Sequence, residues 1–182
     1  MSGKITIYIG CMYSGKTSAL ISACRRHLSI DKKILVINYA GDNRYSDFSE
    51  IVSHNQDKIS CIKVSKLEDV PINEFMIAES IMIDEGQFFV DLKEYVCKWC
   101  EIYKKKVYIS ALDGDFKRQP FGQILNLIPL ADKVIKFNAL CVKCKDGTEA
   151  YFTHRISQEK EQIVIGSSNY IPVCRQHYLE NN

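Results

Sequence analysis

The sequence predicts an α/β protein with a mostly parallel sheet and a small C-terminal subdomain. Short apolar runs typical of buried strands recur through the first 140 residues, and most are separated by segments long enough for a crossover connection. Apolar strands that alternate with helices in this way form parallel sheets covered on both faces. After about residue 140 the pattern changes to paired cysteines, glycines and short strand-like runs. We therefore predict a domain over residues 1–140 and a subdomain over residues 141–182.

The individual elements follow from the apolar pattern and from the positions of helix-breaking residues. Five strands are predicted, at 5–9, 34–39, 80–84, 107–112 and 134–140. Three helices are predicted, at 18–28, 90–105 and 122–127. The third helix should stop before Pro129. The polar residues 42–60 predict a loop with a strand near its end, and two short strand-like runs, 151–156 and 162–165, lie in the C-terminal subdomain.

Composition narrows the class of protein. With 182 residues, of which 46% are hydrophobic, the chain can form one packed domain with a small appendage. The net charge is +2 with basic and acidic residues interspersed, which disfavours a nucleic-acid partner because such partners favour a clustered basic face. No run approaches the roughly 18 apolar residues of a membrane span, and the first strand begins too early for a signal peptide. We therefore predict a cytoplasmic protein, without a membrane partner, whose eight cysteines stay reduced.

A phosphate-loop pattern lies between the first predicted strand and the first predicted helix. It comprises Gly10, Cys11, Met12, Tyr13, Ser14, Gly15, Lys16 and Thr17. The two glycines let the backbone turn its N–H groups inward, and the helix adds its positive N-terminal end. Lys16 can reach the outer phosphates of a nucleotide, and the Thr17 hydroxyl can hold a magnesium ion. The alternative is a glycine-rich turn that contains Lys-Thr by chance, but such a turn needs neither flanking element.

Two carboxylates stand at the end of the predicted strand 80–84. In phosphate-loop enzymes an Asp in the position of Asp84 helps to hold the magnesium ion, directly or through water. Because strand side chains alternate, Glu85 should point elsewhere and be able to act as a base on an attacking hydroxyl group or water. The alternative is an ordinary acidic strand end, but the phosphate loop upstream favours the functional interpretation.

The loop after the predicted strand 107–112 is placed to line a pocket, because ligands of open α/β sheets bind beyond the carboxyl ends of strands. Phe116 and Phe121 could stack on a flat ring, and Arg118 could meet negative charge. In the alternative, both Phe side chains belong to the core and Asp113-Gly114 is a turn. The pattern alone slightly favours this alternative.

Two pairs of soft metal ligands, each with two intervening residues, occur near the C-terminus. Cys141, Cys144, Cys174 and His177 would form a closed tetrahedral site of the structural zinc type, which leaves no position for a catalytic water. Such a site would hold both ends of residues 145–173, a segment too short and polar to fold alone. The alternative is free cysteines with a surface histidine.

The remaining cysteines do not form a second ligand set. Cys97 and Cys100 share the spacing but lie inside a predicted helix without a second pair, so we predict buried helical cysteines there. Cys11, Cys24 and Cys61 are predicted core residues.

With these motifs the chain resembles a known family, the cytosolic, zinc-containing thymidine kinases, over almost its whole length. The motifs that carry the resemblance, besides the phosphate loop and the two ligand pairs, lie at 42–46, 83–89, 111–116, 120–122 and 127–131. Asp-Glu-Gly-Gln-Phe with Leu-Asp-Gly and a late zinc knuckle is far more specific than the phosphate loop alone. The resemblance implies a RecA-like phosphate-loop domain with a zinc-bearing subdomain. It also implies transfer of the γ-phosphoryl group of ATP to the 5′-hydroxyl of thymidine, which gives dTMP.

The resemblance also implies roles for individual residues. Glu85 would be the general base, and Lys16 and Mg²⁺ would offset charge on the transferring group. Arg44 matches a family position near the phosphates. A zinc-tied loop, the lasso (here residues 145–173), would cover the base, and Tyr170 would cover the nucleoside. Backbone groups that read the thymine edge would belong to Ile163, Val164, Ile165 and Gly166. Side chains that line the base pocket would be Met12, Phe88, Leu112, Phe116, Phe121 and Thr153.

This chain departs from the family pattern at three places. His177 stands where many relatives have a cysteine ligand, and Cys₃His remains a good zinc set. The lasso is one residue shorter between Gly166 and Tyr170 than in some relatives, which shifts the expected backbone contacts by about one position. Asp115 stands where several relatives have an uncharged residue, and the sequence gives no account of it.

The resemblance also implies the assembly and the regulation of the protein. The family is commonly tetrameric and inhibited by thymidine triphosphate, so a homotetramer with dTTP feedback is expected. Two other classes of protein compete with this interpretation. A phosphate-loop ATPase acting on nucleic acid is disfavoured by the balance of basic and acidic residues. A non-catalytic nucleotide-binding module is disfavoured because Lys16, Thr17, Asp84 and Glu85 are all present.

Overall fold

The protein alternates strands and short helices along its length. A computed structural model describes residues 2–41, 50–52, 58–159, 161–162 and 169–180. Its strands are β1 (Lys4–Gly10), β2 (Ile34–Tyr39), β3 (Glu50–Val52), β4 (Lys58–Ser60), β5 (Ile62–Val64), β6 (Ser80–Ile83), β7 (Lys106–Ala111), β8 (Lys133–Phe137), β9 (Ala139–Leu140), β10 (Glu149–Ala150), β11 (Phe152–Arg155) and β12 (Tyr170–Val173). Its α-helices are α1 (Lys16–Leu28), α2 (Ile72–Ile77), α3 (Leu92–Cys97) and α4 (Arg175–Glu180). Within the described ranges, no helix has the length and apolar character needed to span a bilayer.

A six-stranded sheet in the order β5-β2-β6-β7-β1-β8 forms the centre of the protein, and all its neighbouring pairs are parallel. Because parallel strands share one carboxyl edge, the segments that follow β6, β7 and β1 lie side by side at that edge. These segments carry the acidic residues, the loop 113–121 and the phosphate loop. The three smaller pairs, β3–β4, β9–β10 and β11–β12, are antiparallel.

Apolar side chains cover both faces of the central sheet. In β1, Ile5, Ile7 and Ile9 belong to one core cluster, whereas Tyr8 belongs to the cluster on the opposite face. This alternation is the period of two that a strand imposes. Helix α1 packs on the Tyr8 face through buried residues that include Leu20. Burial on both faces explains why the strands read as continuous apolar runs in the sequence.

A third core cluster joins the phosphate loop to the C-terminal part of the chain. Cys11 packs there with Ala139, Ala150, Val173 and Tyr178. The Cys11 thiol also donates to the Ala150 carbonyl oxygen at 3.4 Å. The phosphate loop and the metal-ligand region therefore share a packed core.

Most predicted strands are confirmed to within one residue, but three predictions need correction. The predicted strand 134–140 is wrong as one element, because β8 joins the central sheet and β9 pairs with β10 instead. The predicted helix 90–105 is shorter: α3 is followed by a π-helical segment, Lys98–Ile102, before β7. The predicted helix 122–127 is a 3₁₀ helix, Ile124–Leu130, that contains Pro129. A 3₁₀ turn tolerates proline there because φ near −65° suits it.

Six of the described strands and α-helices were not predicted, namely β3, β5, β10, β12, α2 and α4. Strand β5 joins the edge of the central sheet beside β2 with only three residues, and α2 has six. Elements this short carry too few residues for a periodic pattern to emerge. The strand expected near the end of residues 42–60 is present as β4.

Candidate active site

The phosphate loop makes the tight turn from β1 into α1 that its glycines require. Gly10 has φ 150° and Gly15 has φ 87°, values in the region that favours glycine. A Cβ atom on Gly10 would lie 2.3 Å from the Phe137 carbonyl oxygen, so no larger residue fits. Helix α1 begins at Lys16, and the first N–H groups of a helix lack intrahelical partners. The loop therefore presents a helix N-terminus suited to an anionic phosphate group.

Lys16 is held inside this loop. Its Nζ atom donates to the Cys11 carbonyl oxygen at 2.6 Å and lies 3.4 Å from Ser14 Oγ, which itself donates to the Cys11 carbonyl at 2.8 Å. Burial lowers the pKa of the Lys16 ammonium, and Glu85 is the strongest of the nearby anions that oppose this change. The carboxylates that follow β6 thus favour the charged form of Lys16 that a phosphate needs.

The two expected magnesium ligands lie together. Thr17 Oγ1 donates to Asp84 Oδ1 at 3.3 Å, and the Asp84 side chain is buried. Neighbouring oxygens in an octahedral Mg²⁺ shell are about 2.9 Å apart, given metal–oxygen distances of about 2.0–2.1 Å. Hydroxyl and carboxylate oxygens are also the ligand type that Mg²⁺ prefers, so these two residues fit the ion.

Glu85 is positioned by a turn and by Gln87. Strand β6 ends at Ile83, so the direction of the Glu85 side chain does not follow from strand alternation, contrary to our expectation. Glu85 adopts the left-handed φ of 55°, and Gln87 Nε2 donates to its Oε2 atom. Gln87 Oε1 accepts from the Leu112 N–H at 2.9 Å, and the Gln87 side chain is only 3% exposed. The candidate base is therefore fixed to the end of the adjacent strand β7 through one buried amide.

Gln87 was not assigned a role from the sequence. It was nevertheless part of the Asp-Glu-Gly-Gln-Phe motif, residues 84–88, that carried the resemblance. A buried amide that bonds a carboxylate on one side and a backbone group on the other is a positioning residue.

We expect Gln87→Met to lower kcat by about tenfold while the KM for ATP changes by less than about twofold, because the base loses its orienting partner but the phosphate loop is unchanged. Steady-state kinetics with each substrate varied would measure this. Gln123→Met is the matched control, since that amide bonds Lys93 N and the Val90 carbonyl, both outside the site. A Gln87→Met variant that binds zinc normally and keeps its full kcat would contradict the positioning role.

Aromatic rings line the sheet edge beside these groups. Phe88 stacks on Tyr39, with ring centroids 5.0 Å apart, and meets Phe121 edge-on at 5.4 Å. Phe121 is buried and Phe116 half-buried. Phe121 is therefore a core residue, as one of the two alternatives from the sequence had it, and it contacts Phe88. Leu112 follows β7, and its backbone N–H donates to Gln87 Oε1.

A second group of expected pocket residues lies at the junction with the C-terminal part. The Met12 N–H donates to Thr153 Oγ1 at 3.0 Å. The Arg155 guanidinium lies 3.7 Å from the centre of the Phe116 ring and donates to Tyr170 Oη at 2.5 Å. The first contact joins β11 to the phosphate loop, and the others join β11 to β12 and to the loop 113–121.

Further residues expected at the site belong to this region or to the phosphate side of the site. The guanidinium of Arg118 lies over the Tyr178 ring at 4.5 Å, so this side chain packs on an aromatic face. Arg44, Ile163, Val164, Ile165 and Gly166 lie outside the described residues.

Cys141, Cys144, Cys174 and His177 converge as the spacing predicted, with their ligand atoms all within 4.8 Å of one another. The Cys144 and Cys174 sulfur atoms are 3.8 Å apart, and His177 Nδ1 lies 3.4 Å and 3.3 Å from them. Sulfur atoms about 2.3 Å from a tetrahedral zinc ion would be about 3.8 Å apart. The four residues therefore fit a structural zinc ion. The alternative of unrelated free cysteines is not supported.

The environment of Cys141 favours the thiolate that zinc requires. Burial alone would raise its pKa, but backbone N–H groups outweigh burial and lower it. The N–H group with the largest effect, that of Cys174, donates to Cys141 Sγ at 3.3 Å. By contrast, burial raises the pKa of the Cys24 thiol to about 12, as expected of an inert core cysteine. Cys11, Cys61 and Cys100 are also buried, and Cys97 is half-buried.

The fold and this site define a phosphate-loop α/β protein with a Cys₃His cluster that fits structural zinc. The chain belongs to the thymidine kinase family, because the family model "Thymidine kinase" matches residues 3–178. It is 41% identical to the thymidine kinase of Monkeypox virus over 182 residues, which cover 98% of each chain. It is 42% identical to the human protein "Thymidine kinase, cytosolic" over 179 residues, 98% of this chain and 74% of the human one. It is also 42% identical to the thymidine kinase of Yaba monkey tumor virus over 182 residues, 100% of this chain and 97% of that relative.

Proposed function

We propose that this protein is an ATP-dependent thymidine kinase, which transfers the γ-phosphoryl group of ATP to the 5′-hydroxyl of thymidine and gives dTMP and ADP. The observation that carries the proposal is the juxtaposition of Lys16, the Thr17–Asp84 pair and Glu85 at the carboxyl edge of the sheet in a chain of this family. Phosphoryl transfer needs positioning and charge stabilisation more than covalent chemistry, and these groups supply both.

The phosphate loop, residues 10–17, would cradle the ATP phosphates with its N–H groups and the N-terminus of α1. Lys16 would exchange the Cys11 carbonyl for a phosphate oxygen and offset negative charge there. Thr17 and Asp84 would hold Mg²⁺, which would neutralise charge on the β- and γ-phosphates. Arg44 would approach the same phosphates.

Glu85 would accept the proton of the 5′-hydroxyl as that oxygen bonds to the γ-phosphorus. The bond between the γ-phosphorus and the β-bridging oxygen breaks, and ADP leaves with its electron pair. Gln87 would keep the Glu85 carboxylate turned toward the hydroxyl group. Alignment of this proton acceptor and the phosphate is what converts a slow encounter into a directed reaction.

Thymidine would lie between the loop 113–121 and the C-terminal part of the chain. The side chains that would line its base are Met12, Phe88, Leu112, Phe116, Phe121 and Thr153, with Tyr170 over the nucleoside. Backbone groups of Ile163, Val164, Ile165 and Gly166 would read the thymine edge. Zinc at Cys141, Cys144, Cys174 and His177 would hold both ends of the lasso and leave no open position for chemistry.

The remaining properties follow from the family. We propose a homotetramer that works in the cytoplasm and is inhibited by dTTP, a product-like nucleotide that would occupy both substrate regions. The interspersed charges, with a net value of +2, support neither a nucleic-acid nor a membrane partner.

The test is an assay of the purified protein with γ-labelled ATP, Mg²⁺ and each nucleoside, with and without DNA. We expect labelled dTMP with thymidine and much less product with deoxycytidine, and no stimulation by DNA. Hydrolysis of ATP that depends on DNA and gives no labelled nucleotide would indicate a nucleic-acid ATPase instead. ATP binding without either product would indicate a non-catalytic module.

A further inference from the structure

Asp115 is a buried carboxylate that the sequence left without a role. Its Oδ1 atom accepts from the backbone N–H groups of Lys117 and Gln119, both at 2.8 Å, and so closes the loop 113–121 on itself. This is the usual local use of an Asp in a turn. Its Oδ2 atom accepts from the side-chain amide of Gln162, also at 2.8 Å and 47 residues away. Oδ1 therefore holds the loop 113–121 in its turn, and Oδ2 joins that loop to the lasso.

Gln162 is held at a second point by Arg155. Arg155 Nη2 donates to the Gln162 carbonyl oxygen at 3.1 Å, and Nη1 donates to the carbonyl oxygens of Glu159 and Glu161. The same guanidinium lies over Phe116, the residue next to Asp115. Asp115 and Arg155 thus attach the same stretch of the lasso to the same loop from two sides.

The contact bears on the pocket because its neighbours are proposed pocket residues. Phe116 would line the base, and Tyr170, which receives a hydrogen bond from Arg155, would cover the nucleoside. A carboxylate–amide bond is stronger than a neutral one and, at a buried carboxylate, is costly to leave unmade. Loss of the bond would release the Gln162 side chain while leaving Lys16, Thr17 and Glu85 in place.

We propose that Asp115 is a positioning residue that fixes the lasso at Gln162 to the loop 113–121 and thereby sets the affinity for thymidine. This inference rests on the proposed function, because it assigns the contact to the nucleoside side of that site. Within the described chain, the side-chain hydrogen bonds of Asp115 go to Lys117, Gln119 and Gln162, outside the phosphate loop and Glu85, so its effect should be confined to thymidine.

The decisive experiment first removes the hydrogen bond between Asp115 and Gln162 and then rebuilds it with donor and acceptor exchanged. Gln162→Glu places two carboxylates in opposition, and we expect the KM for thymidine to rise about tenfold while kcat and the KM for ATP change by less than about twofold. Asp115→Asn in the same chain should restore the KM to within about twofold of wild type. The new amide can donate to the carboxylate introduced at position 162, while its carbonyl still accepts from Lys117 and Gln119. Asp115→Asn alone completes the cycle and should have a smaller effect, since Gln162 can turn its amide.

Gln158→Glu is the matched control, because it adds the same charge to the same exposed segment away from Asp115. An unchanged thymidine KM in Gln162→Glu, an equal rise in Gln158→Glu, or a double variant that is no better than Gln162→Glu would each overturn the proposal.

The experiments can distinguish a wrong assignment of the Asp115–Gln162 contact from a wrong assignment of the protein's function. If the wild-type protein does not phosphorylate thymidine, the proposed function is wrong, and amide hydrogen exchange over residues 152–162 then tests the contact itself. Exchange that is faster in Gln162→Glu and returns to the wild-type rate in the double variant supports the contact. Equal exchange in all forms overturns it.

Discussion

Substitution of Glu85 by Gln is expected to lower kcat by about 10²- to 10⁴-fold, the usual contribution of a positioned general base. The amide keeps the shape of the side chain and can still pair with Gln87 after a flip, but it cannot accept the proton of the 5′-hydroxyl. Binding of ATP should change much less than kcat, because the phosphate loop is bonded through Cys11 and Ser14, and Asp84 and Asp113 still favour the charged form of Lys16. Steady-state kinetics and nucleotide titration measure the two effects on the same preparation.

Glu101→Gln is the control for this change, since Glu101 is an exposed residue of the π-helical segment. It should leave kcat unchanged. A Glu85→Gln variant that turns over at the wild-type rate would remove Glu85 from the reaction. Loss of ATP binding in the same proportion as loss of turnover would assign Glu85 to the phosphates instead of the hydroxyl group.

Substitution of Cys174 by Ser is expected to abolish stoichiometric zinc and to raise the KM for thymidine by more than about tenfold. The Cys174 sulfur lies 3.8 Å from Cys144 Sγ and 3.3 Å from His177 Nδ1, so its removal leaves three ligands and an open position. One end of the lasso then loses its attachment. Metal analysis of the purified variant, together with kinetics for each substrate, measures both consequences.

The KM for ATP should respond less than the KM for thymidine, because the contacts described between the phosphate loop and this region involve Cys11 and Met12, whereas Lys16 is bonded within the loop. Cys97→Ser is the matched control, since Cys97 is a half-buried cysteine of α3 outside the metal cluster. One zinc ion per chain in Cys174→Ser would show that the ligand set is wrong. Loss of zinc with thymidine kinetics unchanged would separate the metal from the lasso.

Structural features that depend on a few consecutive residues could be predicted from the sequence. The turn from β1 into α1 is confirmed because glycines at fixed spacing and the flanking apolar runs are local signals. The Cys₃His cluster is confirmed because two ligand pairs, each compact in sequence, need only be brought together once. The acidic end of β6 was placed correctly, although the direction of Glu85 was inferred for the wrong reason.

Features that depend on distant residues could not be predicted. Periodicity did not reveal that residues 134–140 divide between two sheets, because an apolar run has no marker of its partner strand. Nor did it reveal that Arg118 packs on Tyr178 or that Gln87 bonds the Leu112 N–H.

The sequence by itself determined which residues are candidates for phosphate, metal and proton chemistry, since those residue types stand at spacings that the backbone converts directly into turns and ligand pairs. The tertiary structure decided how the side chains of these residues are oriented and which distant residues they contact. Met12 meets Thr153 across 141 residues, and Asp115 meets Gln162 across 47. Such contacts are chosen by packing of the whole sheet edge, where hydrogen bonds form between groups that share no local pattern.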